Sequence, residues 1–211
     1  MRERVSASLF PVFLKLEGRV CVVIGGGGIG ARKAKELVAA GARVRAVSPT
    51  FHPRWDTVLA ERHVRPFAPG DCQGAALVFA ATGVPEVDVA IEADARVWGV
   101  WLNVVDVPDR CDFYSGAAVR RGPLTVAIST SGASPALARK VRERIEAVLP
   151  EPIGVLALAL GEARPQLLMR YPDITARAQV LGAFVSDALL RLDRFARIED
   201  ARAAVHEALL S

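Results

Sequence analysis

Four consecutive glycines at residues 25–28 are the feature that most limits how this chain can fold. Glycine loses more conformational entropy on folding than any other residue, so four in a row are kept where the backbone must turn sharply or let another group come very close. The preceding residues, 20–24, are apolar and mostly β-branched, which is typical of a strand buried on both faces. The sequence therefore predicts a tight turn at the end of a buried strand.

The residues after the glycines change to helical spacing. Apolar or small residues fall on one predicted face and charged residues on the other, namely Ile29, Ala34, Leu37, Val38 and Gly41 against Arg32, Lys33, Lys35 and Glu36. Gly41 is also a suitable helix stop, and residues 42–48 are predicted to form a second strand. A strand, a glycine turn, a helix and a strand within about 30 residues make a βαβ unit.

Within this unit, Gly25, Gly27 and Gly30 match the pattern G-x-G-x-x-G. In that context the first glycine makes the turn, the second lets the backbone approach a pyrophosphate, and the third lets helix and strand pack closely. The helix N-terminus favours the phosphate charge. A glycine-rich turn without a ligand is the alternative, but the βαβ context makes the pattern fairly specific for a dinucleotide site.

The acidic residue that usually binds the ribose hydroxyls, about 20 residues further on, is missing at the end of the second predicted strand. Ser48 or Thr50 could bond the ribose instead, whereas Arg43 or Arg45 would favour the 2′-phosphate of NADP. The motif alone leaves NAD and NADP open.

The rest of the chain divides into an alternating part and a helical part. Apolar runs at residues 76–82 and 97–105, with a short helix predicted at 85–96, indicate an α/β fold with a mostly parallel sheet. Further cofactor contacts are predicted where these two runs lie, at Thr82, Asn103 and Val104.

After residue 112 the pattern changes to an antiparallel hairpin turning at residues 120–123. A helix follows with Ser134 as its N-cap and a proline in its first turn. Its predicted apolar face and end are Leu137, Val141, Ile145 and Val148, with Pro150 as the stop. The last 60 residues carry only helical signals, broken by Pro152, Pro165 and Pro172. We predict a Rossmann-type domain at residues 1–112, a small α+β region at 113–150 and a helical region at 151–211.

Composition excludes several classes of protein. The net charge is +4, but only 6% of residues are aromatic, so no stacking platform for nucleic acid is evident. No apolar run approaches the roughly 20 residues of a membrane span. The start of the chain lacks the pattern of a cleaved leader. Three widely spaced cysteines fit a reducing cytoplasm and neither a disulfide framework nor a zinc site. The histidines are scattered, so we predict no metal ligands.

Two stretches, residues 10–34 with the glycine run and residues 101–150 with "NVVD" and "STSGASPALA", together resemble the dehydrogenase/ferrochelatase module of the siroheme synthase family. The resemblance runs in order from about residue 9 to 150, and the methyltransferase half fused in some members is not seen. It implies a stand-alone precorrin-2 dehydrogenase that oxidises precorrin-2 to sirohydrochlorin with NAD in siroheme or related tetrapyrrole biosynthesis. Ferrochelatase activity is the family's second function. The resemblance also implies a homodimer that dimerises through residues 113–150.

The resemblance also implies roles for individual residues. Nucleotide contacts fall at Gly28, Ile29, Pro49 and Thr50, and the family's catalytic aspartate matches Asp106. In this family NAD is bound without the acidic residue. The stretch at residues 81–88 departs from the family, which usually has an acidic residue after the threonine and an asparagine where Asp88 stands.

Asp106 follows an apolar run at the predicted carboxyl edge of the sheet, where open α/β folds bind ligands. A carboxylate there could take the proton or orient the macrocycle, or it could merely form the turn before Pro108. Precorrin-2 is a polycarboxylate, so arginines and hydroxyls suit it. The predicted substrate contacts are Arg120, Arg121, Ser129, Thr130, Ser131, Ser134 and Arg139. A non-catalytic, NAD-sensing Rossmann dimer is the rival hypothesis.

Overall fold

The structure, a computed structural model, describes residues 9–211. Residues 1–8, where the predicted first domain begins, lie outside the described residues. The chain forms two compact units, one ending at Ser115 and one spanning Gly116–Ser211. The three-part division drawn from the sequence stays a prediction.

The first unit is built on a five-stranded sheet in which every neighbouring pair is parallel. Its strands are β1 (Val20–Ile24), β2 (Arg43–Ser48), β3 (Ala60–Val64), β4 (Leu77–Ala80) and β5 (Trp101–Val104). Its helices are α1 (Gly28–Ala39) and α2 (Pro85–Val97), with short 3₁₀ helices at Pro53–Thr57 and Pro108–Arg110. The strand order is β3-β2-β1-β4-β5, so the direction of winding reverses beside β1. The predicted α/β, Rossmann-type fold is confirmed.

Strand β1 is buried on both faces, as its uninterrupted apolar run predicts. Cys21 and Val23 belong to the core cluster on one side of the sheet, and Val22 and Ile24 belong to the cluster on the other side. The two layers fix β1 as the central strand, and its carboxyl end therefore lies at the reversal of strand order.

The predicted face of α1 is partly wrong. Ile29 is 44% exposed, whereas Lys33 is 9% exposed. The ammonium group of Lys33 donates to the hydroxyl of Ser115 at 2.7 Å and to Glu36 at 3.2 Å. The long apolar stem of lysine can be buried when its charged end has partners. Ile29 is exposed although Gly30 and Ala31 in the same helical turn are buried. Gly41 does follow the helix with a φ of 80°, as expected of a helix stop.

The sequence did not predict β3. This edge strand carries three consecutive polar residues, Glu61, Arg62 and His63, and it is mostly exposed. Charged residues on an edge strand discourage pairing with other chains, and they also hide the apolar alternation by which a strand is found.

The second unit has a two-stranded antiparallel sheet and helices. Its elements are β6 (Ala117–Arg121), β7 (Leu124–Ile128), α3 (Pro135–Val148), α4 (Pro152–Arg170), α5 (Ile174–Leu189) and α6 (Ile198–Val205), with a 3₁₀ helix at Leu192–Phe195 and a π-helical turn at His206–Leu210. The predicted hairpin is confirmed. So is the Ser134 cap, whose hydroxyl accepts from the Leu137 N–H at 3.2 Å.

Two expectations for these helices need correction. Pro165 does not end a helix but lies inside α4. A proline removes the bond to the carbonyl four residues earlier and crowds it. That residue is Gly161, which is exposed, and apart from the helix's own backbone no atom lies within 4 Å of the position that a Cβ there would take. On α3, the predicted apolar face is only partly covered, since Leu137 is 54% and Val148 is 79% exposed.

No helix in the described part of the chain combines the length and the apolar content of a membrane-spanning segment.

Candidate cofactor site

A cavity of 540 Å³ opens at the carboxyl ends of β1, β2 and β4. Its size is within the range of small-molecule sites, and its place matches the crevice where doubly wound sheets bind ligands. Its walls come from the glycine loop, the segment after β2, the loop after β3 and the start of α2. The lining residues are Ile24, Gly25, Gly26, Gly27, Val47, Ser48, Pro49, Thr50, Phe51, His52, Pro66, Phe67, Ala81, Thr82, Val84 and Val87.

Three of the loop glycines are required by contacts within the protein. Gly25 has a φ of 118°, and a Cβ there would lie 2.3 Å from the carbonyl oxygen of Ala81. A Cβ on Gly30 would lie 2.2 Å from the carbonyl oxygen of Gly25. A Cβ on Gly26, whose role the sequence motif does not predict, would lie 1.9 Å from the carbonyl oxygen of Thr50. These glycines keep the turn, the helix and the segment after β2 in close contact.

Gly27 is different, because no protein atom lies within 4 Å of the position that its Cβ would take. Its backbone is extended, and it is the N-cap of α1 without a side-chain cap bond. No acidic residue stands in the first turn of the helix. The N–H groups of that turn and the positive end of the helix dipole are therefore free of a carboxylate from the helix itself. This combination favours the binding of a phosphate group.

The 3₁₀ helix after β2 folds against the glycine loop. The N–H of His52 donates to the carbonyl of Gly26 at 2.8 Å. The indole N–H of Trp55, which is fully buried, donates to the carbonyl of Gly27 at 3.3 Å. This contact could not be predicted from the sequence, because nothing in the local pattern shows that residues 52–55 return to residues 26–28.

Neither arginine proposed for a 2′-phosphate is suitably placed. Arg45 donates from Nη2 to the carbonyls of Asp71 and Gln73 at 3.0 and 2.9 Å. Arg43 is the first residue of β2, at the opposite end of the strand from the cavity. Ser48, Pro49 and Thr50, for which cofactor contacts are predicted, line the cavity. The expectation that Arg43 or Arg45 holds a phosphate is wrong.

The bonds of Arg45 instead help to hold the loop that carries Pro66 and Phe67 into the cavity wall. Arg65 forms a two-point ion pair with Asp71 at 2.6 and 2.8 Å. Burial raises the pKa of Asp71, but the bonds from Arg65 and the Ala68 N–H outweigh it, so the pKa lies below its ordinary value. Further along, Asp94 accepts from the N–H groups of Gly70 and Cys72 at 2.8 and 2.9 Å. The loop is therefore fixed by charged groups at both ends.

Of the remaining predicted cofactor residues, Thr82 lines the cavity. Its hydroxyl donates to the buried carboxylate of Asp88 at 2.5 Å. The carboxylate that stands here in place of the family's asparagine therefore has a hydrogen-bond partner within the protein. Asn103 does not line the cavity, and its amide donates to the carbonyl of Phe113 at 2.8 Å. Val104 is buried in the core. Gly28 and Ile29 form the first turn of α1 beside the cavity.

Asp106 lies just past β5 and is exposed. Its φ of 62° places it in the left-handed region, which aspartate and asparagine tolerate better than most residues. Such conformations occur often at functional sites, although aspartate in a turn has the same preference. Asp106 does not line the cavity, and its catalytic role stays a prediction.

The predicted substrate residues all belong to the second unit. Arg121 donates to the carbonyls of Leu149 and Glu146 at 2.9 and 3.1 Å, so it fixes the end of α3. Arg120 and Arg139 are exposed. The hydroxyls of Ser129, Thr130 and Ser134 accept bonds from the backbone of their own loop and of α3, and Ser131 has a φ of 53°. Their contact with substrate stays a prediction.

Within residues 9–211, no group of three or more histidine, cysteine, aspartate or glutamate side chains is arranged to hold a metal ion.

Comparison with known protein families assigns the chain to a family. A family model described as putative NAD(P)-binding matches residues 12–117, which is half of the sequence. The chain belongs to this NAD(P)-binding family. A second model, described as sirohaem biosynthesis protein central, matches residues 121–147. The resemblance to the siroheme synthase module, inferred above from two stretches, is confirmed.

Individual relatives agree with this assignment. The siroheme synthase of Methylobacillus flagellatus is 42% identical over 165 residues, covering 76% of this chain and 35% of that protein. The siroheme synthase of Methylococcus capsulatus is 36% identical over 202 residues, covering 94% of this chain and 43% of that protein. The chain thus spans less than half the length of these relatives. In fold it is similar to SirC, a precorrin-2 dehydrogenase, with a TM-score of 0.71 and 21% identity over 96% of this chain and 100% of that one.

Proposed function

We propose that the protein is an NAD-dependent dehydrogenase that oxidises precorrin-2 to sirohydrochlorin in the biosynthesis of siroheme or a related tetrapyrrole. The observation that carries the proposal is the space beside Gly27, where a Cβ would meet no protein atom although its neighbours Gly25 and Gly26 are closely packed. Such a space, at an uncapped helix N-terminus in a family of NAD(P)-binding proteins, suits a pyrophosphate. The relatives and the SirC fold support the choice of substrate.

The reaction removes one hydride and one proton from the macrocycle and extends its conjugation. NAD, when bound, supplies the nicotinamide carbon that accepts the hydride. The chain's own residues bind and orient the dinucleotide and the substrate. The glycine loop holds the pyrophosphate, and Ser48 or Thr50 forms a hydrogen bond with the ribose. Asp106 takes the proton or orients the macrocycle, a contribution worth about 10²–10⁴-fold for a general base. Arg120 and Arg139 supply exposed positive charge for the carboxylates of the substrate.

We also propose that the protein acts as a homodimer in the cytoplasm. Exposed apolar side chains on α3 support an interface in the second unit, since Leu137 and Val148 are mostly uncovered in the single chain. The free cysteines Cys21, Cys72 and Cys111 suit a reducing compartment. We expect iron or cobalt insertion into sirohydrochlorin to be weak, because Asp106 and solvent would have to do the work of a ligand set.

The test is to incubate the purified protein with precorrin-2 and NAD and to follow the absorption spectrum of sirohydrochlorin. The reaction without NAD is the control. Formation of sirohydrochlorin at a rate well above the control supports the dehydrogenase. Tight NAD binding without any oxidation would instead favour the NAD-sensing dimer.

A further inference from the structure

Arg54 extends over the first residue of α1. Its Nη1 atom lies 3.4 Å, and its Cδ atom 3.7 Å, from the position that a Cβ on Gly28 would occupy. Gly28 follows Gly27, where the space for a ligand is open. The guanidinium group of this exposed arginine therefore lies close to the first residue of the helix, at the edge of the cavity lining, although Arg54 is 26 residues further along the chain.

The backbone of Arg54 is fixed on both sides. Its own N–H donates to Nδ1 of His52 at 3.1 Å. The next residue, Trp55, is fully buried and is bonded to the carbonyl of Gly27. The arginine is thus presented by a rigid turn that is itself tied to the glycine loop, and a rigid support lowers the entropy that binding would cost.

The charge of Arg54 is not neutralised by a carboxylate in the part of the chain that the structure describes. The other arginines between residues 45 and 65 have partners: Arg62 pairs with Asp56, Arg65 pairs with Asp71, and Arg45 bonds two carbonyls. Arg54 instead adds a positive charge to the positive end of the α1 dipole. The guanidinium group and the positive end of the dipole repel each other, and a bound anion between them would remove this repulsion.

We propose that Arg54 binds the pyrophosphate of the dinucleotide together with the N-terminus of α1. This inference rests on the proposed function, because it takes the cavity as a dinucleotide site. The position beside Gly27 and Gly28 points to the pyrophosphate, since a 2′-phosphate would lie at the end of β2 near Ser48. With Arg54 engaged at the pyrophosphate, and Arg43 and Arg45 unsuitable, none of these three arginines remains to select NADP.

The test compares Arg54→Ala with the wild type in binding experiments. Calorimetry measures NAD, NADP and ADP-ribose, and ligand-observed NMR measures adenosine, which has no phosphate. Arg19→Ala is the matched control, because Arg19 is exposed and precedes β1 at the far end of the sheet. Circular dichroism checks that each variant is folded.

We expect Arg54→Ala to lower the affinity for NAD, NADP and ADP-ribose by about 10- to 100-fold, the usual contribution of one or two charge-assisted hydrogen bonds. Adenosine binding should not change, and Arg54→Lys should keep part of the affinity because it keeps the charge but not the planar fork. The control should bind NAD as the wild type does.

NAD affinity within twofold of wild type in Arg54→Ala would overturn the inference. A loss confined to NADP would overturn it too, because it would move Arg54 to a 2′-phosphate. If the wild type binds no NAD, both this inference and the cofactor assignment fail. If NAD binding depends on Arg54 but precorrin-2 is not oxidised, only the proposed reaction fails.

Discussion

Replacing Gly27 by aspartate should abolish NAD binding and leave the fold at least as stable as before. The backbone at Gly27 has φ −70° and ψ 177°, which any residue can adopt, and no protein atom lies within 4 Å of a Cβ there. Aspartate is a preferred N-cap residue. Its charge would suit the helix dipole by about 0.3–1 kcal/mol, and the loss of a glycine stabilises through the unfolded state by about 0.4–1 kcal/mol.

The effect on binding has the opposite sign. A carboxylate about 4 Å from a phosphate, at an effective dielectric constant near 20, is repelled by about 4 kcal/mol, which is roughly a 10³-fold loss of affinity. The introduced carboxylate would also attract the guanidinium of Arg54. Both effects remove NAD while the unfolding free energy stays level or rises.

Gly26→Ala is the matched comparison, because a single methyl group at the neighbouring position meets the carbonyl oxygen of Thr50 at 1.9 Å. Overpacking of this kind costs about 1–3 kcal/mol, so this variant should lose stability. Urea unfolding measures the stability, and calorimetry with NAD measures binding. The reasoning is refuted if Gly27→Asp binds NAD within tenfold of wild type, or if it is the less stable of the two variants.

Three other predictions concern separate parts of the first unit. Asp106→Asn should keep the fold and NAD affinity, because asparagine tolerates the left-handed backbone, while steady-state oxidation of precorrin-2 falls about 10²-fold or more; a rate near wild type would leave Asp106 as a turn residue. Calorimetry should find NAD bound more tightly than NADP, and the reverse order would contradict the placement of Arg43, Arg45 and Arg54. Asp94→Asn should destabilise the protein at pH 7 by about 1–3 kcal/mol, because one buried N–H loses its acceptor. Burial raises the pKa of Asp94, but its hydrogen bonds outweigh burial and hold the pKa below its ordinary value. In urea titrations the difference from wild type should therefore be complete above the ordinary aspartate pKa and shrink as the pH falls through the folded pKa. The exposed Glu17→Gln is the control.

Features of the site that depend on short stretches of sequence could be predicted. The structure contains three such features: the buried strand β1, the turn at Gly25 and the cap at Ser134. Each is determined by residues only a few positions apart in the sequence. Their causes are local: β-branched side chains, a positive φ and a hydroxyl at an N-cap.

Features that depend on contacts between distant residues could not. Gly26 is needed because the carbonyl of Thr50 lies against it, and Lys33 is buried because its ammonium group reaches Ser115. Arg45 has a side chain that could bind a phosphate, but it bonds carbonyls of the loop after β3. In each case the residue type fits several roles, and the role is decided by the distant residue of the same chain that it contacts in the folded protein.

The missing acidic residue after β2 can now be connected with the segment that replaces it. At that point the chain has the buried Ser48, and it then turns through the 3₁₀ helix so that His52 and Trp55 bond the glycine loop. An acid there would bind the ribose, whereas this turn brings a guanidinium to the pyrophosphate end of the site. Binding strength should therefore depend more on the phosphates than on the ribose hydroxyls. Because phosphate contacts are charged, NAD affinity should fall as salt is raised, more steeply in the wild type than in Arg54→Ala.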